Sequence, residues 1–354
     1  MGFLSLGRMT YRTLVALFMT AAVGMVADPA SICNAAPSPA YQVTRTVSLG
    51  APDRWDYVVF DPASKRVYVA HGDEVTVVDG RKGDVVGHIT GLPGGTHGIA
   101  VVTAAGKGYT DDGGAGEAAA FDLATFKVGK RIKAADDADA MAFDPASGHV
   151  FVINGNAGTI TVIDPKSDSA VAAINGGGKL EFAVADGLGH LYVNGAGNKE
   201  VLSIDTRSNQ VAARWPVPDC LSPHGLAMDT VHHRLFVSCV NSVLTVVNSD
   251  SGAVVASVPI GSGTDAAAFD PKRLLIFSSN GKDGTLSIIQ EQDPQTFVAL
   301  EPVKTTVSAR TMSLDPQTGR LYIAAASTEA LVAGEKRPKV VPGSLKLLFL
   351  DPVR

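Results

Sequence analysis

The sequence predicts an all-β protein, a seven-bladed β-propeller with four-stranded blades. A unit of about 40–50 residues recurs along the chain, the length that propeller blades require. Within each unit, short runs rich in Val, Ile, Tyr and Phe are separated by Gly, Asp, Asn and Pro, as expected of strands and tight turns. No segment shows a sustained helical period. Because 45% of the 354 residues are hydrophobic and 18% charged, the chain can bury a sizeable core.

Each unit starts with an apolar run that ends in an aspartate, often followed by proline. The first unit reads 57–62, 67–70, 75–79 and 84–89, which predicts four strands. The gap between the first two landmark aspartates is two units long, and Gly98-Ile99-Ala100-Val101-Val102 fills the missing place without an aspartate. Seven units result. The landmark aspartates are Asp61, Asp144, Asp186, Asp229, Asp270 and Asp315.

The two ends of the repeat predict a closed ring. The last unit contains strands at 310–314, 320–325 and 345–350 but lacks a fourth, whereas 42–49 is a strand without a blade of its own. We expect the N-terminal strand to join the last blade, because this removes the exposed sheet edges. Residues 327–343 should form a long surface loop, either a tolerated insertion or a lid or docking loop.

The N-terminus has the features of a secretory signal. Arg8 and Arg12 precede an apolar stretch at 14–27 that is too short to span a bilayer comfortably, and small residues follow. We therefore predict a signal peptide at 1–36, cleaved near residues 35/36, and a single propeller domain at 37–354. The mature protein would be periplasmic or secreted, without a membrane span.

Loss of Cys33 with the signal would leave Cys220 and Cys239. An even pair in an oxidising compartment predicts a disulfide. The alternative is two separate thiols, since Cys239 lies in an apolar strand where a free cysteine packs well. A bridge would stiffen the loop that carries His224.

Ionisable residues occupy one equivalent position in all seven units, at the start of the innermost strand. Since innermost strands surround the channel of a propeller, we expect these side chains to converge at one mouth. Trp55 and Tyr57 flank the first of them, and would either offer a ligand an aromatic wall or pack in the core. The seven residues are Asp56, His97, Asp139, Glu181, His224, Asp265 and Arg310.

This ring has three interpretations. Its mixed charges would neutralise each other around a water-filled channel. Alternatively, it would hold a divalent ion (Zn, Mn, Fe or Ca), with ligands drawn from His97, Asp139, Glu181, His224 and Asp265. Thirdly, it would bind a small anionic ligand, with Arg310 on a carboxylate or phosphate, Asp56, Trp55 and Tyr57 beside it, and His97 or His224 as general base. The last two combine into a metal-dependent hydrolase or lyase.

Several other function classes lack support. The net charge of −5 comes without a basic block, so charge does not indicate nucleic-acid binding. The sequence contains no phosphate-binding Gly motif followed by a helix, no Gly-x-Ser-x-Gly and no Cys-x-x-Cys-His.

Three units resemble those of the YVTN-repeat, YncE-like bacterial β-propellers. They are Tyr68-Val69-Ala70 with 75–79, Phe151-Val152-Ile153-Asn154 with 160–164, and Tyr192-Val193-Asn194 with 201–205. The resemblance implies a seven-bladed propeller that is periplasmic or at the cell surface. Family members include a binder of single-stranded DNA, and lactonases and domains of redox enzymes share the fold.

Because a propeller hosts many functions, three classes stay open. The first is an exported protein that binds a small ligand or divalent metal ion at the channel mouth. The second is a lactonase-like, metal-dependent hydrolase or lyase acting on a small acidic substrate at the same ring. The third is a non-catalytic module whose rim loops bind a protein, a polymer or single-stranded DNA. The acidic balance disfavours DNA.

Overall fold

The computed structural model describes Gly2 and residues 41–330 and 338–353. The predicted signal peptide, its Cys33 and the cleavage position lie outside this part of the chain, so the proposed domain boundaries stay predictions. The fold described below lies in one compact unit, Ser38–Arg354. Within the described residues, no helix has the length and apolar character needed to cross a bilayer.

The described strands form seven antiparallel sheets in which successive strands pair, as predicted. Two short 3-10 turns, Thr103–Ala105 and Gly113–Ala115, lie in the second sheet's loops. In chain order the strands are β1 (Tyr41–Gly50); β2 (Trp55–Asp61), β3 (Arg66–His71), β4 (Glu74–Asp79) and β5 (Val85–Ile89) in blade one; β6 (Ile99–Val102), β7 (Lys107–Asp112), β8 (Glu117–Asp122) and β9 (Val128–Lys133) in blade two; β10 (Ala138–Asp144), β11 (His149–Asn154), β12 (Thr159–Asp164) and β13 (Ser169–Asn175) in blade three; β14 (Ala183–Ala185), β15 (His190–Gly195), β16 (Glu200–Asp205) and β17 (Gln210–Pro216) in blade four; β18 (Pro223–Asp229), β19 (Arg234–Cys239), β20 (Val243–Asn248) and β21 (Val254–Pro259) in blade five; β22 (Thr264–Asp270), β23 (Leu275–Asn280), β24 (Thr285–Asp293), β25 (Thr296–Ala299) and β26 (Val303–Lys304) in blade six; and β27 (Thr311–Leu314), β28 (Leu321–Ala325) and β29 (Leu345–Pro352) in blade seven.

The ring is closed by the N-terminal strand, as the repeat predicts. Strand β1 pairs antiparallel with β29 and completes blade seven in the order β1-β29-β28-β27. The innermost strands contact each other in sequence from β2 through β6, β10, β14, β18, β22 and β27 back to β2. Blade one therefore neighbours blade seven, and the seven-bladed prediction is confirmed.

The core lies between the blades. The middle strands are buried on both faces, as Val67, Tyr68 and Val69 of β3 show with no exposed surface. Their continuous apolar runs are what two-sided burial requires. In the blades that have a landmark aspartate, it stands at the end of the innermost strand and closes the turn. The carboxylate of Asp61 accepts hydrogen bonds from the backbone N–H groups of Ala63 and Ser64, the turn chemistry expected of aspartate.

The predicted disulfide joins Cys220 and Cys239, whose Cα atoms are 5.2 Å apart. Strand pairing places Pro223 opposite Cys239, so the bridge ties the loop that enters blade five to the end of β19. This confirms the pairing.

The predicted loop at 327–343 connects β28 to β29. Thr328 and Val340 form an isolated antiparallel bridge near its two ends. The carboxylate of Asp53 accepts hydrogen bonds from the backbone N–H groups of Ser344 and Leu345, which fixes the end of the loop to blade one. Residues 331–337 lie outside the described residues, and a role as lid or docking loop stays a prediction.

Candidate ligand site at the channel mouth

All seven ionisable ring residues lie at or just before the start of an innermost strand, and each is half-buried. Their chain neighbours are more deeply buried; Asp139, for example, lies between Ala138 and Ala140, which have almost no exposed surface. Successive residues of a strand point to opposite sides, so this shared pattern gives the seven side chains a shared direction.

An aromatic pair forms the floor beneath them. The rings of Tyr57 and Phe182 lie 4.5 Å apart between centroids, with 34° between their planes. Tyr57 belongs to blade one and Phe182 precedes β14 of blade four, so the two rings meet across the channel. Phe182 also packs against the hydrophobic clusters of blades four to seven. The mouth is therefore a cup with an aromatic floor.

Two carboxylates in this cup have no cationic partner in the part of the chain that the structure describes. Among the described residues, no Lys, Arg or His nitrogen lies within the 4.0 Å of a salt bridge from Asp56 or Asp139. Burial, followed by the Asp265 carboxylate, raises the pKa of Asp56 to about 7 against the opposing charges of Arg310 and His97. Burial and then Asp56 raise the pKa of Asp139 well above its ordinary value. At the centre of the cup, the ionised forms of Asp56 and Asp139 are therefore disfavoured.

His97 is held by a buried carboxylate. Its Nδ1 lies 2.7 Å from Oδ2 of Asp111, which is fully buried. Oδ1 of Asp111 accepts hydrogen bonds from the backbone N–H groups of His97 and Gly98, at 2.7 and 2.8 Å. A side chain on Gly98 would collide with the carbonyl of Asp139, because β6 and β10 approach closely at the channel. Asp111 therefore fixes both the position and the orientation of the imidazole.

The other nitrogen of His97 faces Arg54, whose Nη2 lies 2.9 Å from Nε2. A guanidinium only donates, so this contact needs a neutral imidazole with its proton on Nδ1. Burial alone lowers the pKa of His97, but Asp111, Asp56 and Asp139 outweigh it and raise the pKa to about 9. In the protonated form Nε2 is also a donor. Protonation of His97 is therefore incompatible with the observed Arg54 contact.

The remaining cations are already paired. Arg310 donates from Nη2 to the carbonyl of Trp55 at 2.9 Å, and its guanidinium lies 5.3 Å from the centre of the Trp55 ring. Its Nε lies 3.5 Å from Oδ2 of Asp265. Trp55 is buried, and its ring packs against the Arg310 guanidinium. An anion would therefore have to compete for Arg310.

The rest of the ring forms a second linked group. Nζ of Lys179 lies 2.6 Å from Oε1 of Glu181, and Nε2 of His224 lies 3.9 Å from the same oxygen. Nδ1 of His224 lies 3.0 Å from the carbonyl oxygen of Ser222, which favours a proton on Nδ1 and leaves Nε2 toward the cup. His224 is thus oriented by its own loop.

The five predicted metal ligands do not form a compact coordination group as they stand. Within the described residues, one set of three His, Cys, Asp or Glu side chains brings its ligand atoms within 4.8 Å of each other, and it lies elsewhere: Asp229, His232 and Glu291. The roles assigned to the ring residues, catalytic or metal-binding, stay predictions.

Sequence reasoning missed three residues of the cup: Arg54, Lys179 and Phe182. Arg54 and Lys179 lie two positions before Asp56 and Glu181, so comparing the units at that position would have found them. The contact between Phe182 and Tyr57 has no signal in the repeat, because it joins two blades that are not neighbours.

Comparisons with known proteins support the resemblance to YncE-like propellers over about half of the chain. No protein-family model matches the sequence. Two curated relatives, each named uncharacterized protein YncE, come from Salmonella typhimurium (strain LT2) and Salmonella typhi. Both are 24% identical over 187 residues, which is 51% of this chain and 52% of theirs. The chain therefore spans about half the length of the curated relatives it matches.

A solved structure, Kuenenia stuttgartiensis hydrazine synthase, is similar with a TM-score of 0.66 and 16% sequence identity. The match covers 75% of this chain and 91% of that chain. At this identity the likeness shows the propeller fold and nothing about chemistry.

Proposed function

We propose that this protein is an exported β-propeller that binds a small cation, either a divalent metal ion or an organic ammonium ligand, at the mouth of its channel. The observation that carries the proposal is the pair Asp56 and Asp139. These carboxylates converge above the Tyr57–Phe182 floor without a cationic partner among the described residues.

A cation suits the cup better than an anion does. Burial and neighbouring carboxylates raise the pKa of Asp56 and of Asp139, so their ionised forms are destabilised, and a bound cation removes that penalty. Carboxylates with nearby imidazoles suit Zn²⁺, Mn²⁺ or Ca²⁺, with His97 and His224 as the nitrogen ligands. The aromatic floor would attract an organic ammonium group through its ring faces. Arg310 and Lys179, by contrast, are engaged by Asp265 and Glu181.

Export is supported by two observations. The Cys220–Cys239 disulfide fits an oxidising compartment rather than the cytoplasm. The sequence also carries the predicted signal at 1–36. We infer a periplasmic or secreted location from these together.

The test begins with elemental analysis of the mature protein purified without chelator. Isothermal titration then compares Zn²⁺, Mn²⁺, Ca²⁺ and a quaternary ammonium ligand on the wild type and on Asp56→Asn/Asp139→Asn. We expect about one cation per chain at this site and binding at least about tenfold weaker in the double variant. His97→Ala/His224→Ala should lose metal but not ammonium binding.

Glu291→Gln, on the opposite face, is the matched control and should leave the cup's affinity unchanged. Failure of every cation to bind, or equal binding by the wild type and Asp56→Asn/Asp139→Asn, would contradict the proposal.

A second candidate function is favoured by the His97–Asp111 pair. A buried carboxylate behind an imidazole is the arrangement of a general base or of an oriented metal ligand. With a bound metal ion, His97 would take a proton from water while Arg310 receives an acidic group, as in a hydrolase or lyase. Turnover of carboxylate-bearing lactones that His97→Ala abolishes, with cation binding at Asp56 and Asp139 retained, would favour this enzyme over a binding protein.

A further inference from the structure

The face opposite the mouth carries a second cluster, at the junction of blades five and six. It lies at the far end of the innermost strand, since β18 runs for seven residues from Pro223 to Asp229, roughly 20 Å. There each landmark aspartate closes its own turn, and the following blade supplies the residue beside it.

Strand register identifies that neighbouring residue in every blade. It follows the residue that pairs with the start of the second strand; Arg234 pairs with Asn248, for example, and Leu275 with Gln290. In blades three and seven the register is extended by one residue, to His149 opposite Asp164 and Arg320 opposite Asp351. Of the seven equivalents only the sixth is charged. They are Gly80, Leu123, Pro165, Thr206, Ser249, Glu291 and Pro352.

Between blades three and four, the residue beside the landmark aspartate is a hydrogen-bond donor. There the hydroxyl of Thr206 donates a hydrogen bond to Oδ2 of Asp144 at 2.7 Å. Between blades five and six the same position is Glu291, which brings a second carboxylate to Asp229. Two carboxylates, which only accept hydrogen bonds when ionised, therefore face each other, so a proton or a cation must lie between them.

His232 alone does not balance the pair. Its Nδ1 lies 2.7 Å from Oδ2 of Asp229 and 3.0 Å from Oε1 of Glu291, so one N–H faces two carboxylates. Oε2 of Glu291 is buried and accepts no hydrogen bond from the described residues. The neighbouring Arg234 donates instead to the carbonyls of His232, His233 and Pro294.

The geometry points to a divalent metal site formed by Asp229, His232 and Glu291, which takes Zn²⁺ or a similar first-row ion and joins blade five to blade six. One imidazole and two carboxylates supply three ligands of a tetrahedral zinc centre, with water as the fourth. The carboxylates are 2% and 1% exposed, whereas the His232 side chain is 29% exposed and marks the side from which ion and water enter.

The observed distances suit this ion after a small adjustment. Zinc bonds of about 2.0–2.1 Å place tetrahedral ligands roughly 3.3 Å apart, slightly more than the 2.7 and 3.0 Å found around Nδ1. His232 lies in the turn between β18 and β19 and is partly exposed, so its ring can move outward.

A proton is the competing occupant. Burial, followed by Asp229, raises the pKa of Glu291 to about 7, with His232 acting in the opposite direction. Metal binding would displace the proton shared within this cluster. A metal ion and a proton can be told apart by thermal unfolding, since only a metal site makes the unfolding temperature depend on added zinc.

The experiment compares the full mature chain with Glu291→Thr, which copies the Thr206–Asp144 pair into this junction. Zinc content after equilibrium dialysis and thermal unfolding with Zn²⁺ or with chelator are measured for both. We expect the wild type to bind zinc here and unfold at a higher temperature with zinc than with chelator. To remove any contribution of zinc bound at the mouth, Glu291→Thr is also made in the Asp56→Asn/Asp139→Asn background, where it should abolish the zinc-dependent shift and unfold no earlier than its parent in chelator.

Two controls isolate the cluster. His233 follows His232 in the sequence, is exposed and pairs with Asp250. The variant His233→Ala should therefore keep the zinc-dependent shift. Asp56→Asn/Asp139→Asn, at the mouth, should keep it as well. Failure of cation binding at the mouth is therefore distinguishable from failure here. Should Glu291→Thr not fold, Glu291→Gln preserves the shape of the side chain and should weaken zinc binding at this cluster at least about tenfold.

The inference is overturned if the wild type unfolds at the same temperature with zinc and with chelator. It is equally overturned if Glu291→Thr or Glu291→Gln keeps the full zinc response. In either case Asp229, His232 and Glu291 share protons rather than a metal ion.

Discussion

At the scale of single residues, the cup is a set of competing charges whose balance depends on protonation. The pKa values of both Asp56 and His97 are raised, which favours the neutral form of the aspartate but the charged form of the histidine. Burial and Asp265 favour the neutral form of Asp56, whereas Asp111 and its neighbours favour the charged form of His97. Because the folded and unfolded states then bind protons differently, each pKa shift makes the free energy of unfolding depend on pH.

The prediction at this scale concerns Asp56. An unfolded chain releases the aspartate proton near pH 3.9, as a rough reference, whereas the folded protein holds it to about pH 7. Between these values the folded state binds more protons, so its stability falls as pH rises through this window. Relative to the wild type, Asp56→Asn should gain about 1 kcal/mol between pH 4 and pH 7, after allowance for solvent screening.

Urea unfolding at several pH values measures this difference. The exposed Asp84→Asn is the control and should follow the wild type at every pH. His97 acts in a different window, because its raised pKa gives stability that is present below about pH 6.5 and lost as pH rises through 9. A constant difference between wild type and Asp56→Asn from pH 4 to pH 7 would be the contrary result.

At the scale of elements, β1 closes the ring by completing blade seven. It covers the edge of β29, and its first residue, Tyr41, is buried against Phe277 with ring centroids 5.2 Å apart. An uncovered β29 would present unpaired N–H and C=O groups to other chains. Closure of the ring therefore depends on a segment far from blade seven in sequence.

A variant that starts at residue 51 tests this role. We expect it to unfold at a lower temperature than the protein that starts at residue 37, and to self-associate through β29 in size-exclusion chromatography. A synthetic peptide of residues 41–50 should restore the monomer by adding the missing strand. A monomeric, equally stable variant would show that β1 is dispensable.

The elements also show where local patterns succeed. The Asp-capped turn and the two-sided apolar runs predicted the number of blades, because both depend on backbone hydrogen bonds and burial within a few residues. The short β14, with only Ala183–Ala185, and the added β26 did not follow from the pattern. Strand β26 pairs with β24 beside β25, at the outer edge of blade six.

At the scale of the whole molecule, the two faces of the ring have different chemistry. One face holds the cup, whose carboxylates lie above the floor formed by Tyr57 and Phe182. The other opens into a largely apolar cavity of about 480 Å³ between the innermost strands of blades one to three, with Ile99, Met141 and Phe143 among its walls.

The sequence by itself determined the propeller, the number of blades, the closure by the N-terminal strand and the equivalent position of the seven ionisable residues. All of these follow from periodic patterns whose physical cause is local. Only the tertiary structure decided that Tyr57 meets Phe182, that Arg54 contacts His97 and that Glu291 faces Asp229. These contacts join residues of different blades, and the curvature of the ring and the stacking of the sheets determine them, which no local period records.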